Sequence, residues 1–190
     1  MALPILGVEP VTGLDDEADT PIGYRSPVHG RRPEVYAAAT RDEESAALAE
    51  RVRAWMRIGI EPHAIGVAVR AGYLADQARD ALKAVGIRTV SLTSNSTAKG
   101  VRAGTMHGMK GLEFQAVAVI GVEERAIPAV PAVTPEDEDP LAQDLQRERC
   151  VFLVACTRAR DQLFISYTGV ASPFLSPGPA HRLITGRRGD

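Results

Sequence analysis

Residues 64–92 leave a chain of this kind little choice of fold. Ala64 to Arg70 (AIGVAVR) is a short apolar run closed by an arginine, long enough for a strand buried on both faces and too short for a core helix. Tyr73 to Val85 is amphipathic at helical spacing and stops at Gly86, after which Ile87 to Leu92 returns to a strand pattern. Strand, helix and strand in this succession predict a crossover between parallel strands, with the helix packed on the sheet.

The flanking sequence extends the same pattern. Glu34 to Ala39 reads as a strand. Thr40 is then a helix cap, and Glu43 three residues on completes a capping box. Leu48, Val52 and Trp55 follow at helical spacing and Gly59 ends the run. Downstream, Val101 to Met106 and Ala116 to Val122 read as strands around a tight segment, His107 to Gln115. Leu141 to Ala159 reads as a helix with Leu145, Arg149, Phe152 and Cys156 nearly in line, and Gln162 to Tyr167 as a last strand. The predicted class is an α/β domain, a mostly parallel sheet flanked by helices, over residues 34–168. Residues 1–33, rich in proline and glycine, read as a linker or tail. Residues 123–140 hold four prolines and the acidic run Glu136–Asp139 and read as a surface loop, and residues 169–190 as a mobile tail.

Composition narrows the function classes. Among 190 residues, 45 % are hydrophobic and 24 % charged, as in an ordinary globular domain. The net charge of −2 gives no global basic field, so any nucleic-acid contact must be local. No apolar run approaches 18 residues and no signal-peptide pattern opens the chain, which predicts neither membrane spanning nor secretion. Cys150 and Cys156 read as reduced, buried thiols of a cytoplasmic protein. His29, His63, His107 and His181 are scattered without ligand spacing, so no metal site is expected. Asp16-Glu17-Ala18-Asp19 spells a known magnesium motif, but no hydrophobic strand precedes it to deliver the acids, and no phosphate loop accompanies it.

Three segments carry side chains that a plain connection does not require, and the expectation is that all three gather at the carboxyl ends of strands. Arg70-Ala71-Gly72 ends an apolar strand with a guanidinium suited to forked phosphate binding. In Thr105 to Phe114 (TMHGMKGLEF), two glycines permit close backbone approach, Thr105, His107 and Lys110 donate to anions, and Glu113 accepts from sugar hydroxyls. In Val154 to Arg160 (VACTRAR), Arg158 and Arg160 stand two apart, so they point to different sides of a helix and serve different ends.

These segments carry a resemblance. TMHGMKGLEF with AVAVIGVEE resembles motif V of the UvrD/PcrA/Rep group of superfamily 1 DNA helicases. RERCVFLVACTRARDQLFIS resembles motif VI, and IGVAVRAGYLADQARDALKAVGI resembles motif IV with its following helix. The three stand in family order from Ile65 to Ser166, and Tyr24-Arg25-Ser26 is similar to a YRS segment farther upstream. The resemblance implies the second RecA-like motor domain, of the P-loop NTPase type but lacking the phosphate loop. ATP would lie between it and an upstream RecA-like ATPase domain that holds the Mg2+. Arg158 would then be the arginine finger and Arg70 a second γ-phosphate contact. Glu113 would meet the ribose, with Lys110 and Gly111 shaping that turn, while Thr105 and His107 would line a track for single-stranded DNA. Met109 stands where the family usually has a small residue. The competing reading is a non-catalytic helicase-like module that binds a repair or transcription partner, for instance through Glu136–Asp139.

Overall fold

The structure, a computed structural model, describes residues 11–12, 18–19, 32–94, 99–129, 138–175 and 182–185, with the backbone alone at 11–12, 18–19, 138–141 and 182–185. Two short strands, β1 (Val11–Thr12) and β2 (Ala18–Asp19), pair antiparallel. The rest builds one sheet from β3 (Glu34–Ala38), β4 (Ile65–Val69), β5 (Thr89–Ser91), β6 (Val101–Thr105), β7 (Phe114–Val119), β8 (Ala159–Thr168) and β9 (Arg182–Thr185). Its order is β5-β6-β4-β7-β8-β3-β9, and every pairing is parallel. The helices are α1 (Arg41–Arg57), α2 (Gly72–Ala84) and α3 (Glu138–Thr157).

A parallel sheet must bury both faces, and β4 shows how the sequence does so. Ile65, Val67 and Val69 point into a core with Leu48, Val52 and Trp55 of α1 and Leu74, Ala78 and Leu82 of α2. Ala68 points the other way, into a core with Phe152, Ala155 and Cys156 of α3. Gly66 on that second face has no room for a side chain, since a Cβ there would stand 2.8 Å from the Phe114 ring.

The predicted caps and stops form. The Thr40 hydroxyl accepts from the Glu43 N–H at 3.1 Å, and the Glu43 carboxylate returns to the Ala39 N–H at 2.7 Å. Those hydrogen bonds hold the Glu43 carboxyl below its usual range, the Ala39 N–H contributing most. Tyr36 donates to the same carboxylate at 2.8 Å; burial, and then that hydrogen bond, push its phenol up to about 12.

Three expectations need correction. β8 starts at Ala159 and so absorbs Arg160, because the parallel ladder to β7 continues down to Phe114. The chain past Thr168 is not a uniformly loose tail: Phe174 and Ser172 are buried, and β9 adds to the edge of β3. Of the two cysteines only Cys156 is buried, since Cys150 lies on the outer side of α3. The acidic side chains Glu136–Asp139 lie outside the described residues, as does Tyr24-Arg25-Ser26.

Candidate functional site

With all strands parallel, the sheet has a carboxyl rim and an amino rim. One short stretch of chain connects the two in the candidate region. β6 ends at the carboxyl rim with Thr105, and β7 begins at the amino rim with Phe114. The eight residues between them therefore descend the full depth of the sheet, roughly 18 Å at 3.3 Å per strand residue.

The descent starts with a 3-10 turn, Met106–Met109, capped by Thr105, whose hydroxyl accepts from the Gly108 N–H at 3.4 Å. Met106 and Met109 are both plugged into the α3-side core. With those two side chains turned inward, His107 and Lys110 are left facing solvent. Gly111 then takes φ +78°, a left-handed conformation that side chains disfavour, and the chain continues through exposed Glu113 to buried Phe114. Met109 is thus a core residue.

Arg158 meets the foot of this descent. It follows α3 directly, and its backbone carbonyl accepts from the Phe114 N–H at 2.9 Å. Its Nε donates to the Val154 carbonyl at 3.2 Å and its Nη1 to the Leu112 carbonyl at 3.4 Å. Both acceptors are neutral, and Arg158 joins no ion pair among the described residues. The guanidinium is oriented but its charge is not cancelled. Glu113 and Arg158 sit on the amino rim, contrary to the expectation of a carboxyl-end cluster, because each precedes its strand. Arg160 is exposed one step farther along β8.

Arg70 is placed differently. It caps β4 on the carboxyl rim, and its Nε and Nη2 donate to the two oxygens of Glu148 at 2.8 and 2.6 Å. Glu148 is only 3 % exposed and also accepts from the Ala129 N–H at 3.0 Å. Burial raises the Glu148 carboxyl, but the Arg70 hydrogen bonds, the Ala129 N–H and the charges of Arg70 and His107 outweigh it and hold the group below its usual range. The register Ala68↔Val119 and Phe114↔Ala159 separates the Arg70 and Arg158 backbones by about eight strand residues, roughly 26 Å. The structure does not bring the two arginines together, and it spends the Arg70 fork on a carboxylate.

Two buried acids escaped the sequence reading. Glu44 is 3 % exposed and accepts from the Gly121 N–H at 3.0 Å and the Ser166 hydroxyl at 2.7 Å, while Arg41 pairs with it at 2.6 Å. Glu148 is the other. Each opens an apolar stripe at helical spacing, Glu44-Leu48-Val52-Trp55 and Glu148-Phe152-Cys156. A charge in line with core residues needs a buried counter-group, and that was the available signal.

The comparisons now bear on the same segments. Residues 87–169 match the family model of the UvrD-like helicase C-terminal domain. That stretch contains Thr105, His107, Lys110, Gly111, Glu113 and Arg158, whereas Arg70 lies before it. The UvrD-like resemblance read from the motifs is thereby borne out. The ATP-dependent DNA helicase PcrA of Staphylococcus aureus (strain Mu50) is 41 % identical over 71 residues, 37 % of this chain. PcrA of Staphylococcus epidermidis (strain RP62A) is 40 % identical over 70 residues, again 37 % of this chain. The match spans 9 % of the length of either relative. The fold resembles a crystal structure of the C-terminal domain of a possible DNA helicase from Lactobacillus plantarum WCFS1, with a TM-score of 0.65. The two are 20 % identical, over 81 % of this chain and 86 % of that one, a likeness of fold alone. The α/β class with a parallel sheet is confirmed on both counts. No described helix is long and apolar enough to cross a membrane.

Proposed function

We propose that this UvrD-like chain is the second RecA-like motor domain of an ATP-dependent DNA helicase or translocase, moving 3′ to 5′, with an upstream RecA-like ATPase domain as its partner. One observation carries the reading. Arg158 is a half-exposed cation fixed, among the described residues, by carbonyl oxygens alone, and it stands beside exposed Glu113 at the foot of the segment that starts with Thr105 and His107.

Carbonyl acceptors aim a guanidinium without neutralising it, which is what a triphosphate partner requires. Arg158 would then offset charge developing on the transferred phosphoryl group, an effect of about 10³–10⁵ in rate where such fingers act. Glu113 would accept from ribose hydroxyls, and Gly111 and Lys110 shape and charge the approach. Thr105 and His107 supply the contact to single-stranded DNA on the opposite rim. Arg70, neutralised by Glu148, leaves this list as a phosphate contact.

The donor set fits one side of an ATP site only. Mg2+ would be held by the partner domain. Bound ATP would supply the energy of γ-phosphate cleavage, and this chain would contribute charge and orientation. The test is direct. The chain alone, given ATP, Mg2+ and single-stranded DNA, should show no turnover while still binding an oligonucleotide, and His107→Ala should weaken that binding several-fold. Robust turnover by the chain alone contradicts the proposal.

A further inference from the structure

The Arg70–Glu148 pair sits where three elements meet, and neither the resemblance nor the family match accounts for it. Arg70 ends β4, Ala129 follows β7, and Glu148 belongs to α3. The Met106–Met109 turn packs against the same helix, with Met106 and Met109 in the core that Phe152, Ala155 and Cys156 of α3 share. Ten residues on from Glu148, just past the end of α3 and about 15 Å away at 1.5 Å per residue, stands Arg158. There the helix is tied a second time, through Leu112, to the end of the segment that begins at that turn. The helix is therefore held at both ends: at the carboxyl rim by the Arg70 fork on its buried Glu148 carboxylate, with the Met106–Met109 turn packed against it, and at the amino rim through the Leu112 carbonyl.

We infer that Glu148 is a positioning residue for Arg158: its fork with Arg70 sets where α3 stands, so that a change at the His107 turn reaches the guanidinium at the other end. The inference rests on the motor-domain reading above, since it takes single-stranded DNA as what changes the turn. A helix end free to shift would lose this transmission while keeping its fold. A core helix held at a fixed reference point passes on small shifts because packed interiors are stiff.

The experiment uses the whole chain labelled with 15N, titrated with a short oligothymidine. The His107 amide and the Arg158 Nε–H are followed, the latter assigned by its loss in Arg158→Lys. In the wild type both signals should move with the same apparent affinity. In Glu148→Gln, and independently in the milder Arg70→Lys, the His107 response should persist with affinity within about three-fold, while the Arg158 shift falls at least three-fold. A general loss of stability moves no such ratio, and a dispersed spectrum verifies folding. An Arg158 shift undiminished in the folded variant, or absent in the wild type while His107 responds, overturns the inference. No response at His107 in the wild type overturns the DNA reading itself, and this inference falls with it.

Discussion

Arg70 and Glu148, 78 residues apart, meet through two hydrogen bonds of 2.8 and 2.6 Å that fasten the tip of β4 to α3. A strand-tip arginine followed closely by glycine is also what a phosphate contact looks like in sequence. Here the Glu148 carboxylate takes up that fork.

Arg70→Ala should destabilise the chain by about 3 kcal/mol, because it leaves a buried carboxylate unpaired. Urea unfolding at neutral pH measures this. Replacing both partners with apolar residues of similar size should recover most of the loss, whereas a phosphate-binding arginine would show almost no effect on stability.

The same pair makes stability depend on acid. The Glu148 carboxyl is lowered on folding, so the unfolded chain binds its proton more tightly. Its contribution is complete above the ordinary value of 4.5 and fades as pH falls through the lower folded value. The stability gap between wild type and Glu148→Gln should be widest near pH 7 and shrink steadily below about 4.5. A gap that grows with acid would reverse the sign of this account.

Met109→Ala should cost about 2–4 kcal/mol, since Met109 is fully buried against Phe114 and β4. Binding of single strands per folded molecule should change little, because the side chain faces away from the exposed turn. Thermal melting together with oligonucleotide titration separates the two effects.

The thiols should differ sharply. Burial pushes the Cys156 thiol up, far from its reactive form, while Cys150 is exposed. Iodoacetamide should label Cys150 within minutes and leave Cys156 unmodified until the chain unfolds, as mass spectrometry would show.

Most of the scaffold was legible because it rests on local rules. The Thr40 cap, the stops at Gly59 and Gly86 and the stripe Leu48-Val52-Trp55 are set by near neighbours, and all appear where spacing put them. The strand-tip position of Arg70 was legible too, but its partner lies 78 residues away on another element, so no window around it reveals the ion pair. Arg158 and Glu113 were singled out correctly as adjacent to strands, yet assigned to the wrong rim. Each precedes its strand, and in a parallel sheet that alone fixes the end on which it lies. The burial of Met109 was not legible: its neighbours are polar and glycine-rich, and only the turn geometry sends it inward.

The most direct test of the central claim joins this chain to a cognate first motor domain and measures DNA-stimulated ATP turnover. Arg158→Ala should lower turnover by about a thousand-fold or more while nucleotide affinity changes far less. Turnover of Arg158→Ala within a few-fold of wild type would contradict the account.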